Sequence, residues 1–114
     1  LPSVRVDPLQ MMQVFQNLIT NAIQAMPDGG KLGIKAEDDR ETKAIKIFIT
    51  DTGKGVSVGD MKKLFQPLFS TKARGIGLGL IVSKRLTEAN GGKLEVSSQL
   101  GEGTTFIIIL SPEN

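Results

Sequence analysis

Between Leu9 and Met26 the apolar residues Met11, Phe15, Leu18, Ala22 and Met26 recur at helical spacing. Asp7-Pro8 in front supplies an N-cap followed by Pro at the first helical position. Pro27-Asp28-Gly29-Gly30 stops the run, so the spacing predicts a helix from Pro8 to about Met26. Lys31 to Glu37 and Ala44 to Thr50 read as strands of a hairpin around the polar turn Asp38 to Lys43. In the second strand Ile45, Ile47 and Ile49 alternate with Lys46, Phe48 and Thr50, giving one buried and one mixed face. A short helix is predicted over Val58 to Leu64. Phe65-Gln-Pro-Leu-Phe69 should be irregular, because Pro67 disfavours helix at Gln66. A second long helix runs from about Gly77 to Ala89 and ends at Asn90-Gly91-Gly92. Lys93 to Ser98 and Thr104 to Leu110 form a last strand pair around Gln99 to Gly103. The pattern is two or three helices against one mainly antiparallel sheet, an α+β two-layer sandwich forming a single domain over residues 1–114.

Composition narrows the chemistry. The chain has 114 residues, 39% of them hydrophobic, enough for one modest core built from aliphatic side chains and five Phe. Fourteen basic and twelve acidic residues leave a net charge of +2 with no polybasic tract, which argues against a nucleic-acid partner. There is no run of 18 apolar residues, so no membrane contact by this domain is expected, and Leu1-Pro-Ser-Val-Arg-Val6 does not read as a signal peptide. The chain contains no Cys and no His. Disulfides, thiolate or imidazole metal sites and Ser-His-Asp or Cys-His catalysis are therefore excluded. Any metal must be a hard cation with oxygen ligands, such as Mg²⁺. Absence of Cys also fits a cytoplasmic location.

Three stretches carry candidate chemistry. In Lys72-Ala-Arg-Gly-Ile-Gly-Leu-Gly-Leu80, Gly75, Gly77 and Gly79 clear side chains from the backbone just before a helix start. Exposed amides at a helix N-terminus suit phosphate, and Lys72 and Arg74 add positive charge. The stretch is neither the dinucleotide fingerprint nor a P-loop, and a plain glycine turn remains open. The first helix carries no charge from Leu9 to Met26, and Gln13, Asn17 and Asn21 fall four apart, away from the apolar stripe. Amide oxygens at that spacing can ligate Mg²⁺ and leave positions for phosphate oxygens; an uncharged exposed face or a subunit interface is the alternative. Asp51-Thr52-Gly53-Lys54-Gly55 follows a strand directly, where a carboxylate can accept from an exocyclic amine such as that of adenine. An ordinary Asp-x-Gly turn is the plainer reading. Gly101-Glu-Gly-Thr-Thr-Phe106 is a third glycine turn.

Taken in order, Asn17-Leu-Ile-Thr-Asn21-Ala22, Asp51-Thr-Gly-Lys-Gly55, Phe65-x-Pro-x-Phe69, Gly75-x-Gly-x-Gly79 and Gly101-x-Gly-Thr104 resemble the N, G1, F, G2 and G3 boxes of the catalytic ATP-binding domain of sensor histidine kinases. The resemblance runs from about Asp7 to Leu110, and Asn-Leu-x-x-Asn-Ala-x-Gln-Ala-Met, ending at Met26, looks most like the nitrogen-regulation type. It implies the Bergerat fold of the GHKL superfamily, a mixed, mainly antiparallel sheet with about three helices on one face. It implies ATP and Mg²⁺ as cofactors. Asn21 would hold the metal, with Asn17 as a second ligand or phosphate contact; Asp51 would take the adenine amine, supported through water by Thr104. Gly53 and Gly55 would pass under the base, and Ser70 to Gly77 would form a short ATP lid. Lys72 or Arg74 would reach the terminal phosphates, with Gly75, Gly77, Leu78 and Gly79 along the phosphate chain. Asn90 stands where many relatives have His before Gly-Gly, and is expected to be a neutral cap change.

Gyrase, mismatch-repair and chaperone ATPases, which the chain resembles more distantly, place a water-activating Glu four residues before the metal-binding Asn. Asn17 stands there in this chain and cannot act as a base. Some kinases of this fold keep the Glu, so the argument runs in one direction only. The implied function is donation of the γ-phosphoryl group of ATP to a histidine on a dimerisation domain of the same parent protein, with a response regulator downstream. With no His of its own, the chain reads as the catalytic domain excised from a longer cytoplasmic or membrane-anchored sensor, monomeric when isolated. The alternatives are an ATPase acting as a conformational clamp and a nucleotide-binding regulatory module without catalysis.

Overall fold

A computed structural model describes residues 6–61 and 77–111. Helix α1 spans Pro8–Gln24, strands β1 and β2 span Leu32–Asp38 and Ile45–Asp51, and the single turn α2 spans Val58–Met61. Helix α3 spans Gly77–Ala89, followed by β3, Lys93–Gln99, and β4, Gly103–Leu110. The Asp7 carboxylate caps α1, its Oδ1 accepting from the Leu9 N–H at 2.9 Å and the Gln10 N–H at 3.2 Å. The expected extension of α2 to Leu64 and the irregular stretch Phe65 to Phe69 lie outside the described residues.

The four strands form one sheet in the order β1-β2-β4-β3. The three described pairings are all antiparallel, and no parallel pair occurs among the described residues. The register opposes Ile49 to Phe106 and Asp51 to Thr104. Residues 45, 47, 49 and 51 of β2 therefore share the helix-facing side with 104, 106, 108 and 110 of β4. Phe106, Ile108 and Ile49 are buried there against Val14, Leu18 and Met11 of α1 and Leu80 of α3. Each such side chain contributes about 1.5–3 kcal/mol by leaving water. Val14, fully buried, extends the core stripe beyond the positions read from sequence, because three-residue as well as four-residue spacings reach the sheet. Phe15 and Ile47 are half-buried against it, whereas Met26, also half-buried, is not part of this cluster and takes the Thr52 hydroxyl on its sulfur at 3.6 Å. Strand β1 is exposed along its whole length, an edge strand that the helices do not cover.

Helices α1 and α3 pack against each other. At the far end from the glycine-rich start of α3, Asn90 joins them. Its Oδ1 accepts from the Asp7 N–H at 2.7 Å, and its Nδ2 donates to Gln10 Oε1 at 3.0 Å and to the Leu86 carbonyl at 2.8 Å. Asn90 is thus more than the neutral cap expected of it: it ties the end of one helix to the start of the other. The helices run antiparallel from this tie. At about 1.5 Å per residue, the first residues of α3 lie roughly level with Thr20 and Asn21 of α1.

Candidate nucleotide site

The site gathers where α1 ends, β2 ends, β4 begins and α3 begins. Asp51, the last residue of β2, is 2% exposed and is the one buried charged residue among those described. A buried carboxylate needs hydrogen bonds to replace water. One comes from the Gly53 N–H, which donates to Asp51 Oδ1 at 2.8 Å. The chain then turns sharply against its neighbours. The Lys54 N–H donates to the Ala25 carbonyl at 3.3 Å, and the Lys54 carbonyl accepts from the Gly101 N–H at 2.6 Å. A Cβ on Gly53 would overlap the Ala25 carbonyl, so only glycine lets the loop lie this close to the end of α1. Gly55 has φ +73°, and a side chain there would collide with the Gln99 carbonyl.

This close approach places the metal-candidate helix beside the carboxylate. The Ala25 N–H donates to the Asn21 carbonyl at 3.1 Å, so Asn21 lies one helical turn before the residue that touches Gly53. Asn17 lies one turn further back, and both side chains are half-buried, whereas Gln13 is exposed. Among the described residues no group of three or more His, Cys, Asp or Glu could hold a metal. Asn17 and Asn21 of this uncharged helix carry amide oxygens, a donor type that fits a hard cation sharing its shell with phosphate.

On β4, Thr104 is 6% exposed and stands directly opposite Asp51, so the two side chains share one face. Gly103 has φ +121° and lies against the Asp51 carbonyl. A residue not foreseen joins them. Ser98 Oγ accepts from the Val56 N–H at 2.8 Å, lies 2.8 Å from Thr104 Oγ1 and donates to the Gly103 carbonyl at 2.8 Å. It binds the loop after Asp51 to the start of β4. Its sequence signal was a polar residue at an inward-facing position of β3, in line with Leu94 and Val96. The backbone of Gly77, Leu78 and Gly79 forms the first turn of α3, whose N–H groups lack intrahelical partners. Lys72, Arg74 and Gly75, with the expected lid up to Ile76, lie outside the described residues.

A groove of about 350 Å³ lined by Gly33, Lys35, Glu37, Phe48, Thr50 and Thr105 is one competing concavity among the described residues. It lies on the outward side of the sheet, away from Asp51, and holds none of the candidate residues.

Residues 6–114 match the model of the family described as histidine kinase-, DNA gyrase B- and HSP90-like ATPases. The chain belongs to this ATPase family. Within it, the chain is 41% identical over 110 residues to the sensor histidine kinase ZraS of Escherichia coli K12, an alignment covering 96% of the chain and 23% of ZraS. It is also 41% identical over 112 residues to sporulation kinase E of Bacillus subtilis, covering 96% of the chain and 15% of that protein. The chain thus spans less than a quarter of the length of these relatives. Among solved structures, the nucleotide-free catalytic domain of the histidine kinase ThkA superposes with TM-score 0.81 at 31% identity, over 95% of this chain and 70% of that one. Full-length ShkA in complex with AMPPNP superposes with TM-score 0.82 at 26% identity, over 99% of this chain and 24% of ShkA. The α+β sandwich expected from the hydrophobic pattern is thus that of histidine kinase catalytic domains.

Proposed function

We propose that this domain binds Mg-ATP and donates the γ-phosphoryl group to a histidine of a separate phosphoacceptor domain in the same parent protein, within a two-component signalling system. The observation that carries this reading is the buried Asp51 carboxylate, set beside a glycine turn and one helical turn from Asn21. Asp51 accepts the exocyclic amine of adenine, and Gly53 and Gly55 leave room for the flat base beside the backbone. Asn21, with Asn17, supplies amide oxygens to Mg²⁺, and the first-turn amides of α3 face the phosphate chain. Lys72 and Arg74 bring positive charge to the terminal phosphates. Bound Mg²⁺ neutralises charge building up on the phosphate oxygens during transfer. The chain itself contributes positioning and electrostatics, and no side chain at position 17 can activate water. Transfer to a protein acceptor therefore fits better than hydrolysis. AMPPNP bound to ShkA, a structural neighbour, supports an adenine nucleotide as the ligand.

Titration calorimetry tests the site. Mg-ATP should bind the wild type, bind much more weakly to Asp51→Ala, and lose its Mg²⁺ dependence in Asn21→Ala. Unchanged affinity in both variants would sink the assignment. For the transfer step, labelled ATP should not label this chain, which has no His, but should label an added acceptor domain. Steady phosphate release without an acceptor would favour the clamp reading instead.

A further inference from the structure

Asn90-Gly91 is the only Asn-Gly pair in the chain, and such a pair carries chemistry of its own. Glycine has no side chain, so its amide nitrogen can reach the side-chain carbonyl carbon of the preceding asparagine. In that step a bond forms between the Gly91 nitrogen and Asn90 Cγ. The bond from Cγ to Nδ2 breaks, the Gly91 N–H proton passes to the leaving nitrogen, and ammonia departs. Water then opens the resulting succinimide at either carbonyl, leaving aspartate or isoaspartate at position 90.

In the folded chain both reacting groups are engaged. The Gly91 N–H donates to the Glu88 carbonyl and the Gly92 N–H to the Thr87 carbonyl, each at 3.0 Å. With Gly91 at φ +78°, this is the capping turn that ends α3. The Asn90 side chain is half-buried and holds three partners: the Asp7 N–H on its oxygen, and Gln10 Oε1 and the Leu86 carbonyl on its nitrogen. Ring closure draws Cγ onto the Gly91 nitrogen, so the side chain must first leave those partners. Gly91 itself is exposed, so water reaches the pair once it opens.

The product does not remake the tie. A carboxylate has acceptors only. Gln10 can turn its amide to donate to it, but the Leu86 carbonyl cannot donate. The new negative charge also stands at the C-terminal end of α3, where the helix dipole opposes it. Isoaspartate further lengthens the backbone within the capping turn. We propose that Asn90-Gly91 is a deamidation site latched by the helix tie: the pair is protected while α1 and α3 are fastened, and once it has reacted the carboxylate weakens the fastening for good.

The folded wild type, the same chain unfolded in guanidinium, and folded and unfolded Gln10→Ala are incubated in mildly alkaline buffer. Conversion is read by mass spectrometry on the tryptic peptide Leu86 to Lys93, as the mass gain of an amide turned to an acid. The folded wild type should convert roughly 30-fold more slowly than the unfolded chain, the factor set by opening the tie. Gln10→Ala removes one of the three partners and leaves the reacting pair intact. It should convert about fivefold faster than the wild type when folded, and at the same rate when unfolded. Equal rates in folded and unfolded wild type overturn the proposal, as does a folded Gln10→Ala chain that converts no faster than the wild type. Conversion at Asn17 or Asn21 ahead of Asn90 overturns the choice of site. Asn90→Asp installs one product directly and should melt roughly 8 °C below the wild type. An Asn90→Asp chain as stable as the wild type overturns the latch, and it decides the matter should Gln10→Ala fail to fold.

Discussion

Replacing Asp51 with Asn should cripple nucleotide binding and leave the fold standing. Asp51 is 2% exposed, and its Oδ1 accepts the Gly53 N–H at 2.8 Å. Asparagine keeps a carbonyl oxygen able to hold that bond, so the turn after β2 survives. With that bond kept, the change in stability should stay within ~1 kcal/mol, or about 4–8 °C in melting temperature. The second terminal atom changes character, from an acceptor oxygen to an NH₂ donor. Facing the adenine amine, it removes an acceptor and opposes donor to donor. A hydrogen bond to a charged group is worth about 1.5–3 kcal/mol, roughly a 10- to 150-fold change in Kd, and the opposition of two donors adds to it. The Kd for Mg-ATP should therefore rise at least ~30-fold. Asp51→Ala is the contrasting variant: it also strips the Gly53 N–H of its partner, so stability should fall by a further ~1–3 kcal/mol. Calorimetric titration and thermal melting on the same preparations separate the two effects. An Asp51→Asn protein that binds ATP within threefold of the wild type would refute the assignment of the carboxylate to the base.

Other substitutions probe the frame. Gly103→Ala puts a side chain against the Asp51 carbonyl at φ +121°, and should cost ~2 kcal/mol or more by thermal or denaturant melting. Asn90→Ala removes two hydrogen bonds to the start of α1 and one to the Leu86 carbonyl of α3, and should lower stability by ~2 kcal/mol; a melting temperature equal to the wild type would contradict the tie between the helices. Leu18→Ala empties a fully buried position and should cost about 2–5 kcal/mol in denaturant melts. The Thr42 N–H, with that of Glu41 and nearby Lys46, holds the Asp39 carboxyl below its ordinary pKa of 3.8. A lowered folded-state pKa stabilises the fold above the unfolded value and loses that contribution as pH falls through the folded one. Asp39→Asn should thus lower stability slightly at pH 7, and its difference from the wild type should fade as pH falls below 3.8.

The long helices and both hairpins were legible because their signals are local. Asp7-Pro8 and Asn90-Gly91-Gly92 punctuate helices whose limits lie within two residues of those read from sequence. The ordering of the strands was not legible. Placing β4 between β2 and β3 joins residues some 60 positions apart, and Ile107, Ile108 and Ile109 are apolar on both faces, so alternation does not orient the strand. Asp51, Gly53, Gly55 and Thr104 stood out as candidates only through the ordered motifs and the resemblance they carry, because Asp-x-Gly and Gly-x-Gly taken alone read as ordinary turns. Ser98 and Asn90 were missed for one reason. Each is a common polar residue whose meaning depends on partners supplied by distant segments: Val56 lies 42 positions from Ser98, and Asp7 lies 83 from Asn90.

The tie at Asn90 has a mechanical consequence. It fastens α1 and α3 at the end remote from the candidate site, about 20 Å from the first turn of α3. With that end pinned, the glycine-bearing end of α3 can move relative to Asn21 chiefly by swinging. Over such an arm, a displacement of about 1 Å at the glycines needs a rotation of only ~3° at the pivot. Asn90 is then the fulcrum of a lever, and loosening it would turn a swing into a slide, blurring the spacing between the amides of α3 and the Asn pair of α1 without touching a residue of either.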